Sequence, residues 1–583
     1  MDAPALAKDG SFGLAAIERS SSSRAGAGGD DAAPVNVEAA SGELARLVFR
    51  LAPGHTHDEE WPDRPVRAPP AAAYPTGRLA YFNNSKTASN SNVLQVILRD
   101  HGYERAESVD EEWSVFWCAG QVDATVLSTF TPHQKVNKFP KATALTLKAN
   151  LWTCVKQMQT KHGVEHFGFM PPTLVFPREI KLFEKHLKEW MADEGASAED
   201  GMWIFKPAAA YCGKGIWLHR PDREAMRELD SKGAGLLTDD MHQHKGVVSR
   251  YIHPPFLLDG LKSDIRLYVL VTSFHPLTVY LYGEGLARFA TETYDTSNPD
   301  ERCGHLTNYS LNKFNEKFVK NTNEEQDDRG SKWSLTAFKR RLVAEWGEDK
   351  AAEVWRAIDD LVVKTVIAAE PSITSALEDT VPAATRGEPV RQCFQVFGFD
   401  VMLDASGKPY LLEVNLDPAL RTESPLDLRI KSGMLTDLLN VVGMPLPPRA
   451  ATAADPKADA DVAIAAAALA TVVIAAAPIA AAPIAAATLA AAAVANTPTD
   501  VSDLDSNSPS DSLFSMWRTA NPAPPASPQP LSDVHRWALH LVNSEFERSK
   551  GGKWRRLFPS ARSEEYWPFL EQRNTMHRLP FDI

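Results

Sequence analysis

The chain is 583 residues long with a net charge of −13, and 44% of its residues are hydrophobic. That length accommodates about three or four domain-sized units around a substantial core, and the acidic balance excludes generic nucleic-acid binding. Five cysteines, at 118, 154, 212, 303 and 393, show no CxxC spacing, so free thiols in a reducing, cytoplasmic compartment are expected rather than a disulfide framework.

In chain order, residues 1–75 are rich in Ala, Gly, Ser and Asp and then in Pro, with no apolar signal-peptide core, which predicts a disordered leader. Residues 78–172 mix strand-like and helix-like pieces, including an amphipathic stretch from Leu145 to Thr160, and predict an N-terminal lobe. Within them, 131–165 carries six lysines (135, 138, 141, 148, 156 and 161) against a single acidic residue, Glu165. Such a stretch either lines a groove for a glutamate-rich partner or is a solvated helix face.

Residues 173–256 contain a short apolar strand, Gly201 to Pro207, that ends in a lysine, Lys206. It runs through Cys212, Gly213 and Lys214 into a second apolar run, Ile216 to Leu218. Strand, glycine loop, strand describes either an ordinary hairpin or a flap whose backbone N–H groups cover phosphates. It is not a P-loop, because no GxxxxGK[ST] leads into a helix. The run Val247 to Ile252 closes this stretch. Residues 257–445 open with Lys262-Ser263-Asp264-Ile265-Arg266 at the mouth of the β-prone run Leu267 to Thr272. Charges in that position are functional or paired with each other.

Further on, alternation around Ser406-Gly407 predicts a β-hairpin in which Asp400 lies opposite Glu413, the two being equidistant from the turn. Period-2 geometry puts Asn415 on the face of Glu413. Like charges directly opposed are destabilising unless a cation intervenes. Their neighbours are apolar, so unpaired burial would cost on the order of several kcal/mol. Two carboxylates and an amide oxygen are hard donors suited to Mg²⁺ completed by waters and phosphates; Asp404 reads as a solvated turn carboxylate. Residues 446–530 form a low-complexity linker. Val462 to Thr499 carries no charge, longer than the roughly 20 residues that span a bilayer. Alanine dominates the run, however, and Pro478 and Pro483 interrupt it, so no membrane association is expected. Residues 531–583, rich in Trp, Arg and Phe, predict a basic, aromatic tail helix that docks on the core or on a polymer.

Seven motifs in order, WIFKP…GKGI, SRYI, DGLKSDIRLYVLVT, YLYGEGLARFAT, HLTNYSLNK, SKWSL and FGFDVMLD…PYLLEVNLDPAL, make the chain resemble the tubulin–tyrosine ligase-like family. The resemblance runs from about Tyr81 to Met444. Gln134 to Pro140, Ser424 to Asp427, Asp437 to Asn440 and the tail stretch Glu547 to Pro559 are similar to the polyglutamylase branch. The resemblance implies an α/β (α+β) ATP-grasp fold with a catalytic region at 78–445, divided into N-terminal (78–172), central (173–256) and C-terminal (257–445) lobes. It further implies ATP and one or two Mg²⁺ as cofactors, free L-glutamate and tubulin C-terminal tails as partners, and a cytoplasmic, cytoskeletal setting that includes cilium or basal body.

By that resemblance Lys148, Lys206, Cys212 and Gly213 contact phosphates, and Ser249, Arg250, Tyr251 and Ile252 hold adenine. Lys262, Ser263, Asp264, Thr307 and Asn308 complete the nucleotide site. Asp400, Glu413 and Asn415 hold metal, Arg266 stabilises developing negative charge, and Arg288, Tyr309, Ser310 and Lys332 grip the incoming amino acid. Lys206, Arg266 and Glu413 are the expected catalytic residues. The sequence departs from the family at Cys212, where an Arg is common, at Ser249, where Gln is, at Ala149 and at Leu416-Asp417. The expected reaction is glutamate ligation to γ-carboxylates of tubulin-tail glutamates through an acyl phosphate. A glycine or tyrosine ligase, or an inactive microtubule-binding protein, are the alternatives.

Overall fold

The computed structural model describes residues 37–38, 46–51, 79–85, 92–131, 133–208, 213–323, 325–446, 531–570, 577 and 579–580. Cys212 and the Ala-rich run 462–499 lie outside them. Mixed α/β structure organises the chain around three sheets that matter for the site.

A parallel sheet comes first, from β1 (Ala80–Asn83), β2 (Glu104–Ala106), β3 (Val115–Trp117) and β4 (Lys135–Val136), ordered β2-β1-β3-β4. Helix α1 (Asn92–Asp100) lies against it with Val93, Leu94, Ile97 and Leu98 buried, the stripe that a period of 3.6 produces. The amphipathic stretch from Leu145 to Thr160 is divided at Leu147, whose backbone is extended. Helix α2 (Lys148–His162) therefore starts at Lys148 and stops at Gly163, which has φ of 96°.

The second sheet is antiparallel: β5 (Thr173–Phe176), β6 (Trp203–Pro207), β7 (Trp217–His219) and β8 (Gly246–Arg250), ordered β5-β8-β6-β7. Helix α3 (Ile180–Ala192) buries Phe183, Leu187 and Trp190 against it.

The third and largest sheet has seven strands. Its spine is β9 (Leu261–Phe274), β10 (Leu277–Phe289), β11 (Lys332–Ser334), β12 (Gln395–Leu403) and β13 (Pro409–Asn415), in the order β11-β10-β9-β12-β13. Alternate residues of β9 face two cores. Leu267, Val269 and Val271 meet Leu361, Val362 and Val366 of the 33-residue helix α4 (Glu348–Thr380). Tyr268 and Leu270 meet Met434, Leu435 and Leu438 of α5 (Pro425–Val442). Burial on both faces explains the near-continuous apolar runs.

Two segments depart from expectation. Residues 46–51, within the stretch expected to be disordered, are bound to the core. Arg46–Leu47 pairs with Met444–Pro445, and fully buried Phe49 is clamped through its backbone N–H and C=O by Asn440 at 2.8 and 2.9 Å. The tail is also more than a helix. After α6 (Asp533–Ser549), β14 (Trp554–Phe558) adds to β10 of the large sheet. Buried Glu545 accepts from Thr272 at 2.5 Å and from Arg391 at 2.8 Å. Apolar Trp554, Leu557 and Phe558 need the sheet to leave water, so the tail docks on the core. Among the described residues, no helix is long and apolar enough to cross a membrane.

Candidate active site in the cleft between two sheets

On one face of the large sheet, alternation lines up Lys332, Arg288 and Asp264 across β11, β10 and β9, and beside them Arg266, Asp400 and Glu413 across β9, β12 and β13. Cations and anions are interleaved. Arg266 forks onto Asp400, Nε to Oδ1 at 2.5 Å and Nη2 to Oδ2 at 3.0 Å. Arg288 forks onto Asp264 with two 2.6 Å bonds and also reaches Asp400 at 2.8 Å. Burial alone would raise the Asp400 carboxyl, but Arg266 and then Arg288 overcome it and hold the group well below the ordinary carboxylate range. On the far side Lys148 lies 3.2 Å from Glu413. The opposed acids are thus separated by side-chain cations, arginines on one and a lysine on the other.

The pairing of Asp400 with Glu413 arises through two offsets. The turn spans 404–408, so Leu403 pairs with Pro409 and Val401 with Leu411; a β-bulge at Leu412 then restores Asp400 to Glu413. Asp404 organises this turn by accepting from the Ser406 and Lys408 N–H groups at 2.9 and 3.0 Å. Asn415 directs Nδ2 toward Gly398 O (3.3 Å) and Asp400 Oδ2 (3.4 Å), leaving its Oδ1 as the remaining donor oxygen. A Cβ at Gly398 would sit 3.3 Å from the Arg266 side chain and 3.0 Å from Pro418, so glycine makes room for the arginine fork. Among the described residues no three His, Cys, Asp or Glu side chains cluster as a metal group. The oxygen set of Glu413, Asn415 and Asp400 is nevertheless of the hard type that Mg²⁺ takes, with phosphate oxygens and water completing the shell.

A cavity separates this face from the second sheet. Ile204, Lys206, Ser249, Arg250, Tyr251 and Ile252 wall one side; Lys262, Asp264, Asp400 and Glu413 wall the other; Thr307 and Asn308 close an end. Half-buried Lys206 has its ammonium pKa lowered to about 8 by desolvation, with Glu413 opposing the shift. Buried Lys262 is lowered to about 7, again by desolvation first, and donates to the Tyr251 hydroxyl at 2.9 Å. Thr307 donates to Asp264 at 2.8 Å. Gly213, at φ of 72°, leaves only 3.1 Å between a would-be Cβ and Asn308 Oδ1, so the flap can lie on Asn308 only as glycine.

Several expected residues are turned away from the cavity or already engaged by other groups. Ser263 is buried on the face opposite Lys262 and Asp264, paired with Phe289, because alternation along β9 turns it away from the cavity. The Arg250 guanidinium is committed to the Asp200 carbonyl and lies 4.5 Å over the Trp203 ring. Ser249 hydrogen-bonds Thr173 at 2.8 Å. Lys332 sits beside Tyr309, 4.5 Å over its ring, and is held by Asp427 at 2.8 Å; Ser310 follows Tyr309 in a short helix. Of the six lysines in 131–165, Lys135 and Lys138 are buried, Lys135 donating to the Arg391 carbonyl and Lys138 pairing with Asp417 at 2.6 Å. They line no groove; they pin the first sheet to the large one, and the Asp417 departure has this structural explanation. His305, bound to Tyr251 at 2.8 Å, and Asp427 were not singled out from sequence, although His305 directly precedes Leu306-Thr307-Asn308 and Asp427 lies in the Ser424-Pro425-Leu426-Asp427 run.

A small antiparallel sheet carrying Lys206, facing a large one that carries Lys262 and arginine-braced carboxylates, defines an ATP-grasp-like class. The tubulin-tyrosine ligase family pattern matches residues 126–452, more than half of the chain. The chain belongs to the tubulin-tyrosine ligase family. It is 38% identical over 358 residues to human "Tubulin polyglutamylase TTLL5", covering 61% of this chain and 25% of that protein. It is 35% identical over 365 residues to Caenorhabditis elegans "Tubulin polyglutamylase ttll-5", 61% of this chain and 47% of that protein. To human "Tubulin monoglutamylase TTLL4" it is 35% identical over 368 residues, 62% of this chain and 27% of that protein. The chain thus spans a quarter to a half of the length of these curated relatives.

Proposed function

We propose that the chain is an ATP- and Mg²⁺-dependent ligase that joins free glutamate to γ-carboxylates of glutamates in tubulin C-terminal tails. The observation that carries this reading is that Lys206 and the carboxylates of Asp400 and Glu413 line one cavity, bordered by Ser249 to Ile252. Relatives named as tubulin glutamylases supply the substrate class. When bound, Mg·ATP supplies the phosphoryl group that turns a poor carboxylate electrophile into an acyl phosphate.

The protein's own part is positioning and charge compensation, which phosphoryl transfer mainly demands. Lys148, Lys206 and the Gly213 backbone meet phosphates; Ser249, Tyr251 and Ile252 border the adenine; Lys262, Asp264, Thr307 and Asn308 fix the remainder of the nucleotide. Asp400, Glu413 and Asn415 hold Mg²⁺, and Arg266, braced by Asp400, presents positive charge where negative charge develops. Arg288 keeps its Nε and Nη2 on Asp264 and Asp400, so its Nη1 edge, together with Lys332, Tyr309 and Ser310, receives the carboxylates of glutamate. The amine of that glutamate attacks the activated carbonyl and releases phosphate.

Purified protein incubated with Mg·ATP, tubulin and radiolabelled amino acids tests this. Label is expected to enter from glutamate and not from glycine or tyrosine. Glu413→Gln should abolish incorporation while keeping the thermal midpoint. Co-sedimentation with microtubules without labelling would replace the ligase reading by a binding one, and full activity in Glu413→Gln would reject the metal assignment.

A further inference from the structure

Three buried, cavity-lining groups from separate parts of the chain touch one another in series: Lys262 on β9, Tyr251 just past β8, and His305 at the end of the short helix Arg302–His305. Lys262 Nζ lies 2.9 Å from the Tyr251 hydroxyl, that hydroxyl 2.8 Å from His305 Nδ1, and His305 Nε2 3.1 Å from the Asn298 carbonyl oxygen. The rings of Tyr251 and Tyr294 meet the imidazole edge to face, with centroids 5.7 and 5.5 Å away, and so fix its plane. These partners admit one arrangement of protons. A carbonyl oxygen only accepts, so Nε2 carries the hydrogen and the neutral imidazole keeps a bare Nδ1. Burial holds the imidazole below its ordinary pKa, and the charge of Lys262 adds to the effect against the pull of the Asn298 carbonyl. The Tyr251 hydroxyl therefore gives its proton to Nδ1 and turns a lone pair to Lys262, whose ammonium has donors only. All three bonds run one way, from Lys262 through Tyr251 and His305 to the Asn298 carbonyl.

We infer that His305 is a positioning residue for the nucleotide, acting through Tyr251 on Lys262. By taking the hydroxyl proton, His305 makes Tyr251 an acceptor; Tyr251 then anchors one N–H of the ammonium and leaves the other two for the ligand. A lysine is a compact charge on a flexible stem, so a fixed anchor spares the ordering that ligand binding would otherwise impose on it. A side chain at 305 without an acceptor lets the hydroxyl proton turn toward Lys262, where it repels the ammonium. The inference rests on the reading of this cavity as a nucleotide site and adds the residue that aims one of its lysines.

The test measures binding of a non-hydrolysable Mg·ATP analogue to the full chain by calorimetry. His305→Phe should weaken it about fivefold and Tyr251→Phe about tenfold, while His305→Asn, which keeps an acceptor oxygen near the place of Nδ1, should stay within about twofold of wild type. Tyr251→Phe removes a single oxygen, so it keeps the test decisive should His305→Phe fold poorly. In a Lys262→Met background, His305→Phe should have no further effect, because the group through which it acts is gone. In turnover, His305→Phe should raise the Michaelis constant for ATP and leave that for glutamate unaltered. Wild-type affinity in both His305→Phe and Tyr251→Phe overturns the inference. An equal loss from His305→Phe with and without Lys262 also overturns it and makes His305 a scaffold residue. If nucleotide binding follows the expected pattern but no glutamate is incorporated, the positioning role stands and the ligase reading fails; incorporation with unaltered nucleotide affinity in the variants gives the reverse.

Discussion

Asp427 shows how much of the proposed glutamate clamp is held from behind. It is fully buried at the start of α5, where Ser424 caps it, and it binds Lys332 at 2.8 Å and Lys431 at 2.9 Å. Burial would raise its carboxyl, but Lys431 and Lys332 reverse the effect and hold it well below the usual range. Lys332 is thereby fixed over Tyr309. Removing one partner of a buried ion pair costs about 3–5 kcal/mol, because the other charge is stranded. Asp427→Asn should therefore lower stability by about that amount in chemical denaturation and raise the Michaelis constant for glutamate about tenfold or more, with a smaller loss of turnover. A destabilised variant with an unchanged Michaelis constant for glutamate would reduce Asp427 to a scaffold residue.

At the level of elements, the large sheet is completed from far along the chain. Trp554 of β14 is 2% exposed, packs at a tilt against Tyr282 with ring centroids 5.0 Å apart and donates its indole N–H to the Met434 carbonyl at 3.3 Å. Trp554→Ala should cost about 3–5 kcal/mol, read as a lowered denaturation midpoint; a cost below about 1 kcal/mol would mean that β14 is an ornament on the sheet edge. Residue 554 reads from sequence only as part of an aromatic tail, because the strand it pairs with lies over 270 positions earlier and no local pattern names a distant partner. The hairpin was more legible. Asp400 opposite Glu413 follows from the turn signal, but the odd-length turn and the bulge at Leu412 cancel one another, and only their sum shows in the sequence. Lys135 and Lys138 misled for a related reason: burial is not written in residue type, and their partners, the Arg391 carbonyl and Asp417, lie more than 250 positions away.

Considered whole, the molecule places the proposed nucleotide cavity between two separately cored sheets, so a ligand there would tie both together. Lys206, Ser249 and Tyr251 come from one sheet and its exit; Lys262, Asp264 and Glu413 come from the other. Such a ligand binds only the folded, assembled form and stabilises it by about 2.7 kcal/mol at a hundredfold excess over its dissociation constant. The protonation of the walls sets the pH range. Lys262 near 7 and Lys206 near 8 lie far below the ordinary lysine value of 10.5. The unfolded chain therefore holds more protons than the free protein from about pH 7 upward, and these two groups make the free protein more stable as pH rises through that window. Phosphates act in the opposite sense. They favour the charged lysines and raise both values, so binding takes up protons above about pH 7 and is tightest below it. Calorimetry of a non-hydrolysable Mg·ATP analogue in two buffers of different ionisation enthalpy at pH 8 should register net proton uptake, with affinity falling as pH rises from 7 to 9. Lys262→Met should lose part of that uptake and most of the ligand-induced rise in thermal midpoint. Wild-type protein whose midpoint ignores the nucleotide, or which binds it without taking up protons, would place the nucleotide outside this cavity and remove the two lysines from its walls.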